Sequence, residues 1–255
     1  MAKTITLYNR KGGVGKTTTA GTLMSYLTEK GKRVLGVDLD GQANLTLYCN
    51  VNPEEEVTVI DLLSGQAEFK DVVKHTRFGD LLPTNSDMDD YVHEFGSNML
   101  NIGKMREILT KVDKDYDYII IDCPPSRNAM VLSVLMATKY LIIPTVITLY
   151  SMKGIKETSS IIEEIREGGN KDLKVLGVLL CKYIGKRNLT KAFEPQIEEY
   201  VEQDMKSKVF KTAIPLACSV EESQGLLKSI FEYDNKGKVA KAYREFIEEM
   251  LKEID

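Results

Sequence analysis

Apolar residues recur along this chain in two rhythms that keep exchanging places. Ile5 and Leu7 alternate with polar neighbours as in a short strand, and Ala20, Leu23, Met24 and Leu27 then return at helical spacing. The spacing predicts a helix from Lys16 to about Lys30, stopped by Gly31, and a second strand over Arg33 to Asp38. That strand is apolar without alternation, as expected of a parallel strand buried on both faces. Thr58 to Leu63 reads as a short helix, and Asp80 to Asn85 as a short strand ending in a turn. Asp87 to Phe95 is acidic and reads as a solvated segment, and Leu100 to Val112 reads as one helix. Three consecutive isoleucines, Ile119 to Ile121, close on Asp122 and predict a central strand. Tyr140 to Thr145 and Val175 to Leu180 read as further strands. Ile155, Thr158, Ile162 and Ile165 mark one helical face, and Leu189 to about Glu202 another helix. Val239, Tyr243, Phe246 and Met250 define a last helix within Lys236 to Ile254. Strand–helix alternation with right-handed crossovers predicts an α/β fold: a doubly wound, mainly parallel sheet with helices on both faces. No linker or repeat divides residues 1–255, so one domain is expected.

The joint between the first strand and the first helix carries chemistry. It reads Asn9-Arg10-Lys11-Gly12-Gly13-Val14-Gly15-Lys16-Thr17-Thr18. Glycines in such a turn let backbone N–H groups converge on an anion, and the helix N-terminus adds partial positive charge. In a P-loop, Lys16 meets the β- and γ-phosphates and the Thr17 hydroxyl holds Mg²⁺. Asp38 and Asp40 leave the second strand at its tip, on the phosphate side of a parallel sheet. Asp122 reads as a Walker B carboxylate beside Thr17, and Pro124-Pro125 stiffens the loop after it.

Composition narrows the picture. There are 34 basic and 38 acidic residues, a net charge of −4, so a globally basic nucleic-acid binder is not indicated. Cys49, Cys123, Cys181 and Cys218 form no C-x-x-C pair, which argues against zinc and suits reduced thiols in a cytoplasmic protein. The N-terminus opens as a strand rather than a signal peptide, and no apolar run reaches about 18 residues.

The general P-loop pattern has a glycine where this chain has Arg10, and the chain adds a second lysine, Lys11. In this it resembles the deviant Walker A motif of the ParA/MinD/nitrogenase iron protein superfamily. The resemblance to the ParA/Soj branch runs nearly end to end, strongest at residues 9–18, 37–44 and 118–126. It implies an ATP-dependent sandwich dimer in which Lys11 reaches the partner's nucleotide. It implies slow, partner-stimulated ATP hydrolysis with Lys11, Lys16 and Asp40 as catalytic residues. Asp40 would orient the attacking water, Asp38 would support Mg²⁺ and its waters, and residues 123–126 would sense the γ-phosphate. Lys11, Gly12, Gly13, Val14, Gly15, Lys16, Thr17 and Thr18 would hold the phosphates, and Thr17, Asp38 and Asp122 the metal, partly through water. Val209 to Pro215 resembles the family's last strand and Ile-Pro turn, which puts Pro215 near the adenine. The implied role is plasmid or chromosome partition with a centromere-binding ParB-like protein.

Two departures bear on this. Gly41 replaces the family's proline, and Leu216 and Ser219 stand where arginines help the family hold DNA. Compensating cations are available at Lys182, Lys186, Arg187 and Lys191, or at Lys206, Lys208 and Lys211. The alternative is an ATP-gated positioning scaffold that does not act on DNA, for instance a MinD-like one that cycles on membranes. The latter asks for a basic amphipathic terminal helix, whereas Glu248, Glu249, Lys252, Glu253 and Asp255 make this end acidic, so no membrane partner is expected. An iron-protein-like reductase needs cluster cysteines, for which Cys123 alone is suggestive.

Overall fold

In the computed structural model, which describes residues 1–54 and 56–254, each apolar strand pays out into a helix that folds back over the sheet. The chain runs β1 (Lys3–Leu7), α1 (Lys16–Glu29), β2 (Val34–Asp38), α2 (Asn44–Tyr48), α3 (Val59–Ser64), α4 (Phe69–Val72), β3 (Lys74–Thr76) and β4 (Gly79–Leu82). It continues through α5 (Met88–Gly96), a 3₁₀ turn (Met99–Gly103), α6 (Lys104–Val112), β5 (Tyr118–Asp122), α7 (Ala129–Ala137), β6 (Tyr140–Thr145) and α8 (Ser151–Glu167). The last elements are β7 (Lys174–Leu180), α9 (Asn188–Gln203), α10 (Cys218–Gly225), α11 (Ile230–Tyr233) and α12 (Lys238–Leu251). Asp255, part of the acidic end read above, lies outside the described residues.

The sheet order is β3-β4-β2-β5-β1-β6-β7, parallel throughout except where β3 pairs antiparallel with β4 at the edge. Alternate side chains of each strand feed two cores. Ile5, Leu7, Ile120 and Ile142 face α1, α2, α11 and α12, and Leu35, Val37, Ile119, Ile121 and Ile143 face α3 and α5 to α9. This is the doubly wound α/β sheet that strand–helix alternation predicts. Every residue of β2 and β5 is buried, which is why those strands read as unbroken apolar runs.

Local chemistry sets several boundaries. Thr58 and Asp61 form a capping box at the start of α3: the Thr58 hydroxyl accepts from the Ile60 N–H at 3.3 Å, and Asp61 accepts from the Thr58 N–H at 2.8 Å. Three expectations need correction. Residues 87–95 are not a solvated segment: α5 buries Met88, Tyr91 and Phe95 and turns its acids and His93 outward. The helix expected from Leu100 to Val112 is broken, because Asn98 caps a 3₁₀ turn before α6 begins at Lys104. Residues 209–215 add no strand among the described residues; they touch the chain after and along β7 through two isolated bridges, Val178 with Val209 and Tyr183 with Pro215. The Ile-Pro segment is thus pinned at two points rather than along a ladder.

Candidate functional site

Register brings the site together. In the ladders of β2, β5 and β1, Asp38 pairs with Asp122 and Asp122 with Leu7, so both carboxylates and the start of the glycine-rich loop share one level at the strands' C-terminal ends. Adjacent strands lie about 4.8 Å apart. The loop enters α1 through Gly13 (φ 70°) and Gly15 (φ 96°), a left-handed backbone that favours glycine. A Cβ on Gly15 would only touch Cys181 Sγ, at 3.4 Å, so the backbone conformation rather than space asks for glycine there. The first turn of α1 has no acidic residue and its N-cap makes no side-chain hydrogen bond, so its backbone donors face outward uncapped.

Around that turn sit four ionisable groups. Lys16 is only 6% exposed, and burial lowers its pKa while the charges of Asp122 and Asp40 oppose the shift. Asp122 is fully buried; neither of its carboxylate oxygens has a hydrogen-bond partner. Burial pushes its pKa well up and the neighbouring Asp38 charge adds to this, while nearby Thr17 and Lys16 draw it down. Thr17 approaches this carboxylate without closing a hydrogen bond. Asp38 is also fully buried, but its oxygens are taken: it accepts from Asp40 N at 3.2 Å and from Thr46 N and Oγ1, both at 2.8 Å. Burial pushes its pKa up to about 6 despite those donors. Asp40 is half-buried, and its carboxylate accepts from Gln42 N at 3.2 Å. Asp38 therefore shapes the loop that presents Asp40, and Asp122 is the carboxylate left without a partner. Buried carboxylates facing one lysine suit a divalent cation, and the bare N-terminus of α1 suits phosphate, so the residues fit both groups.

A carboxyl with a raised folded pKa contributes stability below the unfolded value of about 4 and loses it as pH rises toward the folded pKa. At pH 7, Asp122 therefore destabilises the nucleotide-free protein. Asp122→Asn is expected to unfold in urea with about 1–3 kcal/mol more stability than the parent at pH 7. The gap should close near pH 4. A parent that is the more stable at pH 7 would contradict this account of the site.

Other expected site residues fall in place or apart. Pro215 lines a cavity of about 170 Å³ together with Gly15, Thr18, Tyr243 and Leu216. Leu216, one of the two residues standing in for arginine, is thus a wall of that cavity. Gln224 Nε2 donates to Thr18 Oγ1 at 3.0 Å and fastens α10 to the first turn of α1. Lys11 does not point at the other site residues: its ammonium donates to Thr148 Oγ1 at 2.6 Å, on the loop after β6. Asn9 cross-links the same region, donating to Pro144 O at 2.7 Å and accepting from Lys11 N at 3.0 Å. Thr148 and Gln224 were invisible to sequence reasoning, because no local spacing announces a partner 137 or 206 residues away, and Thr46 lies only eight residues from Asp38 but in no motif that marks it. A Cβ on Gly41 would stand 2.8 Å from the Asp89 carboxylate of α5, an exposed side chain free to turn aside.

The basic sets differ. Lys208 is neutralised by Glu253 at 2.8 Å and Glu249 at 3.6 Å. Lys182, Lys186, Arg187 and Lys191 are exposed and make no ion pair among the described residues. Cys123 is fully buried with its thiol pushed well up by burial, which fits neither a nucleophile nor a ligand shared between two copies. No metal-binding cluster of histidine, cysteine and acidic residues occurs among the described residues.

A doubly wound sheet with a glycine-rich loop leading into a bare helix N-terminus, and acids at the neighbouring strand tips, defines a P-loop NTPase fold. The family model described as an AAA domain matches residues 2–175. The chain is 34% identical over 250 residues to the chromosome-partitioning ATPase Soj of Thermus thermophilus, covering 98% of this chain and 96% of that one. It is 32% identical over 253 residues to the sporulation initiation inhibitor protein Soj of Bacillus subtilis, covering 98% of both. Among solved structures, cobyrinic acid a,c-diamide synthase from Mycobacterium smegmatis with bound ADP and magnesium superposes with a TM-score of 0.85 at 30% identity, over 100% of this chain and 96% of that one. The cell division ATPase MinD of Pyrococcus furiosus does so with a TM-score of 0.79 at 25% identity, over 99% of each. The chain belongs to the ParA/Soj family of the deviant Walker A superfamily.

Proposed function

We propose that the chain binds ATP with Mg²⁺ at the loop 11–18, hydrolyses it slowly, and uses it to switch between a lone protomer and a two-fold dimer. The process served is plasmid or chromosome partition with a ParB-like, centromere-binding protein. The observation that carries the reading is Asp122: a fully buried carboxylate with both oxygens unpartnered, beside Thr17 and Lys16. Such a group is costly unless the site is completed by a cation.

Backbone N–H groups of Gly12, Gly13, Val14 and Gly15 cradle the phosphates, with Lys16 and the start of α1 at Thr17 and Thr18 supplying positive charge. Thr17 and Asp122 would hold the metal, which would supply positive charge against the phosphates. Asp38 supports it at one remove by fixing the loop of Asp40, and Asp40 orients the attacking water and accepts its proton. The base rests in the cavity beside Pro215. Lys11 leaves Thr148 and reaches the nucleotide of a second copy, acting as a point charge supplied in trans. Hydrolysis removes the bridging phosphate and the dimer parts.

The relatives named for chromosome partition support this use of the switch. DNA contact is assigned to Lys182, Lys186, Arg187 and Lys191, and as a phosphate contact it should weaken steeply with salt. A membrane-cycling role finds less support: the apolar face of α12, Val239, Tyr243, Phe246 and Met250, is buried in the core rather than available to lipid. No helix among the described residues is long and apolar enough to cross a membrane. This reading places the chain in the cytoplasm, on the nucleoid when DNA is bound.

Sedimentation of the protein with Mg²⁺ and a slowly hydrolysed ATP analogue tests the reading. The parent is expected to dimerise with the analogue and not with ADP. Lys11→Ala should still bind the analogue but sediment as a protomer. A Lys11→Ala variant that dimerises like the parent removes Lys11 from the interface.

A further inference from the structure

We propose that Tyr8 is a positioning residue that ties the phosphate-binding loop to the loop 123–128 above it, so that the site distinguishes a triphosphate from a diphosphate. The inference rests on the ATP reading given above. Tyr8 follows β1 directly and precedes Asn9, so it belongs to the root of the phosphate loop. It is 0% exposed, and its phenolic O–H donates to the Ser126 carbonyl at 2.9 Å. Burial raises the phenol far above its ordinary pKa, so it stays a donor at every working pH. A tyrosine hydroxyl buried here has no part in cradling phosphate, because its proton is committed to Ser126.

The contacts around this bond close into a ring. The Arg10 guanidinium lies beside the same phenol and pairs with Glu157 at 3.6 Å. On the far side of Ser126, Arg127 pairs with Glu164 at 2.5 Å. Glu157 and Glu164 lie seven residues apart on α8, which puts them on one face, two turns apart. The ring thus runs from α8 through Arg10, Tyr8, Ser126 and Arg127 back to α8. Its ion pairs are 31% to 49% exposed and individually worth little. The bond of Tyr8 is its one member with a wholly buried donor residue; it ends on the half-buried Ser126, and its loss leaves a phenol site without its acceptor, which costs more than opening either surface ion pair.

Geometry links this to the ligand. Pro125 lies over the phosphate loop, its Cγ 3.8 Å from where a Cβ of Gly12 would stand. A terminal phosphate that draws the loop 123–128 inward acts on Ser126, and Tyr8 passes that displacement to the loop holding Lys11 and Lys16. Arg10, which departs from the general P-loop pattern, thereby gains a role on the outer side of the same phenol.

The experiment measures binding of fluorescent ADP and a fluorescent, slowly hydrolysed ATP analogue, each with Mg²⁺, to the parent and to Tyr8→Phe. The ring is kept, so the core stays filled. The expected result is ADP affinity within about twofold of the parent and a preference for the triphosphate reduced about tenfold, the size of one buried hydrogen bond. Amide deuterium exchange at Ser126, Arg127 and Asn128 should lose the protection that the analogue confers on the parent. Unchanged discrimination overturns the proposal. So does an equal loss of affinity for both nucleotides, which is what loosened packing alone would produce. If Tyr8→Phe unfolds below working temperature, Glu157→Gln on the surface of α8 replaces it, with a smaller shift in the same direction expected and no shift overturning the proposal. A parent that binds neither nucleotide would instead overturn the ATP reading itself.

Discussion

Lys16→Ala is expected to lose ATP binding by at least roughly 10²-fold, the largest effect of any single substitution in this protein. Lys16 is the cation set against Asp122 and Asp40, and it is nearly buried. Truncating one side of a buried charge pair that forms on binding costs about 2–5 kcal/mol, each 1.4 kcal/mol being tenfold in affinity. Two consequences follow from one deletion: the phosphates lose their ammonium, and Asp122 loses the charge that lowers its pKa. The site then stays partly protonated and takes a metal poorly. Titration calorimetry with Mg²⁺ and ATP measures the loss directly. Lys16→Arg should fail to restore binding, because a planar fork does not replace a compact ammonium in a closed pocket. Affinity within threefold of the parent would remove Lys16 from the phosphate site.

Asp40→Ala is expected to hold ATP and to stop turning it over, with hydrolysis reduced by at least about 10²-fold, the usual reach of a positioned base. The dimer should then accumulate, since nothing removes the phosphate that bridges it. The two acids differ in their hydrogen bonds. Asp38 spends its oxygens on Thr46 and Asp40 N, whereas Asp40 uses its carboxylate only to accept from the nearby Gln42 N–H and stays half-exposed. Phosphate release measured beside size-exclusion chromatography distinguishes the outcomes. Hydrolysis at the parental rate would pass the water-orienting role to another group.

The phosphate loop was legible because its chemistry is local. Strand, glycines, lysine, threonine and helix must follow in a fixed order within ten residues, and each has a physical task there. Asp122 was legible for a related reason: a run of isoleucines ending on an acid is anomalous unless the strand tip has a use. The segment 87–95 misled because a helix that hides three apolar side chains beneath three acids resembles a solvated stretch when only charge is counted. The segment 209–215 misled because an extended run next to β7 need not pair along its length.

Partnership is where the sequence stops. Nothing near Lys11 points to Thr148, nothing near Thr18 to Gln224, and nothing near Tyr8 to Ser126, since those contacts span 137, 206 and 118 residues. The order of residues determined the fold class, the loop that can cradle phosphate and the identity of its charged groups, because each follows from covalent neighbours and from a periodicity of burial. Only the folded chain decided which of three aspartates is left without a partner and which three of the four cysteines are sealed from solvent. It alone decided where the second lysine rests in the lone protomer. Burial and register arise when distant strands pair, and these set how much a charge costs and what can satisfy it.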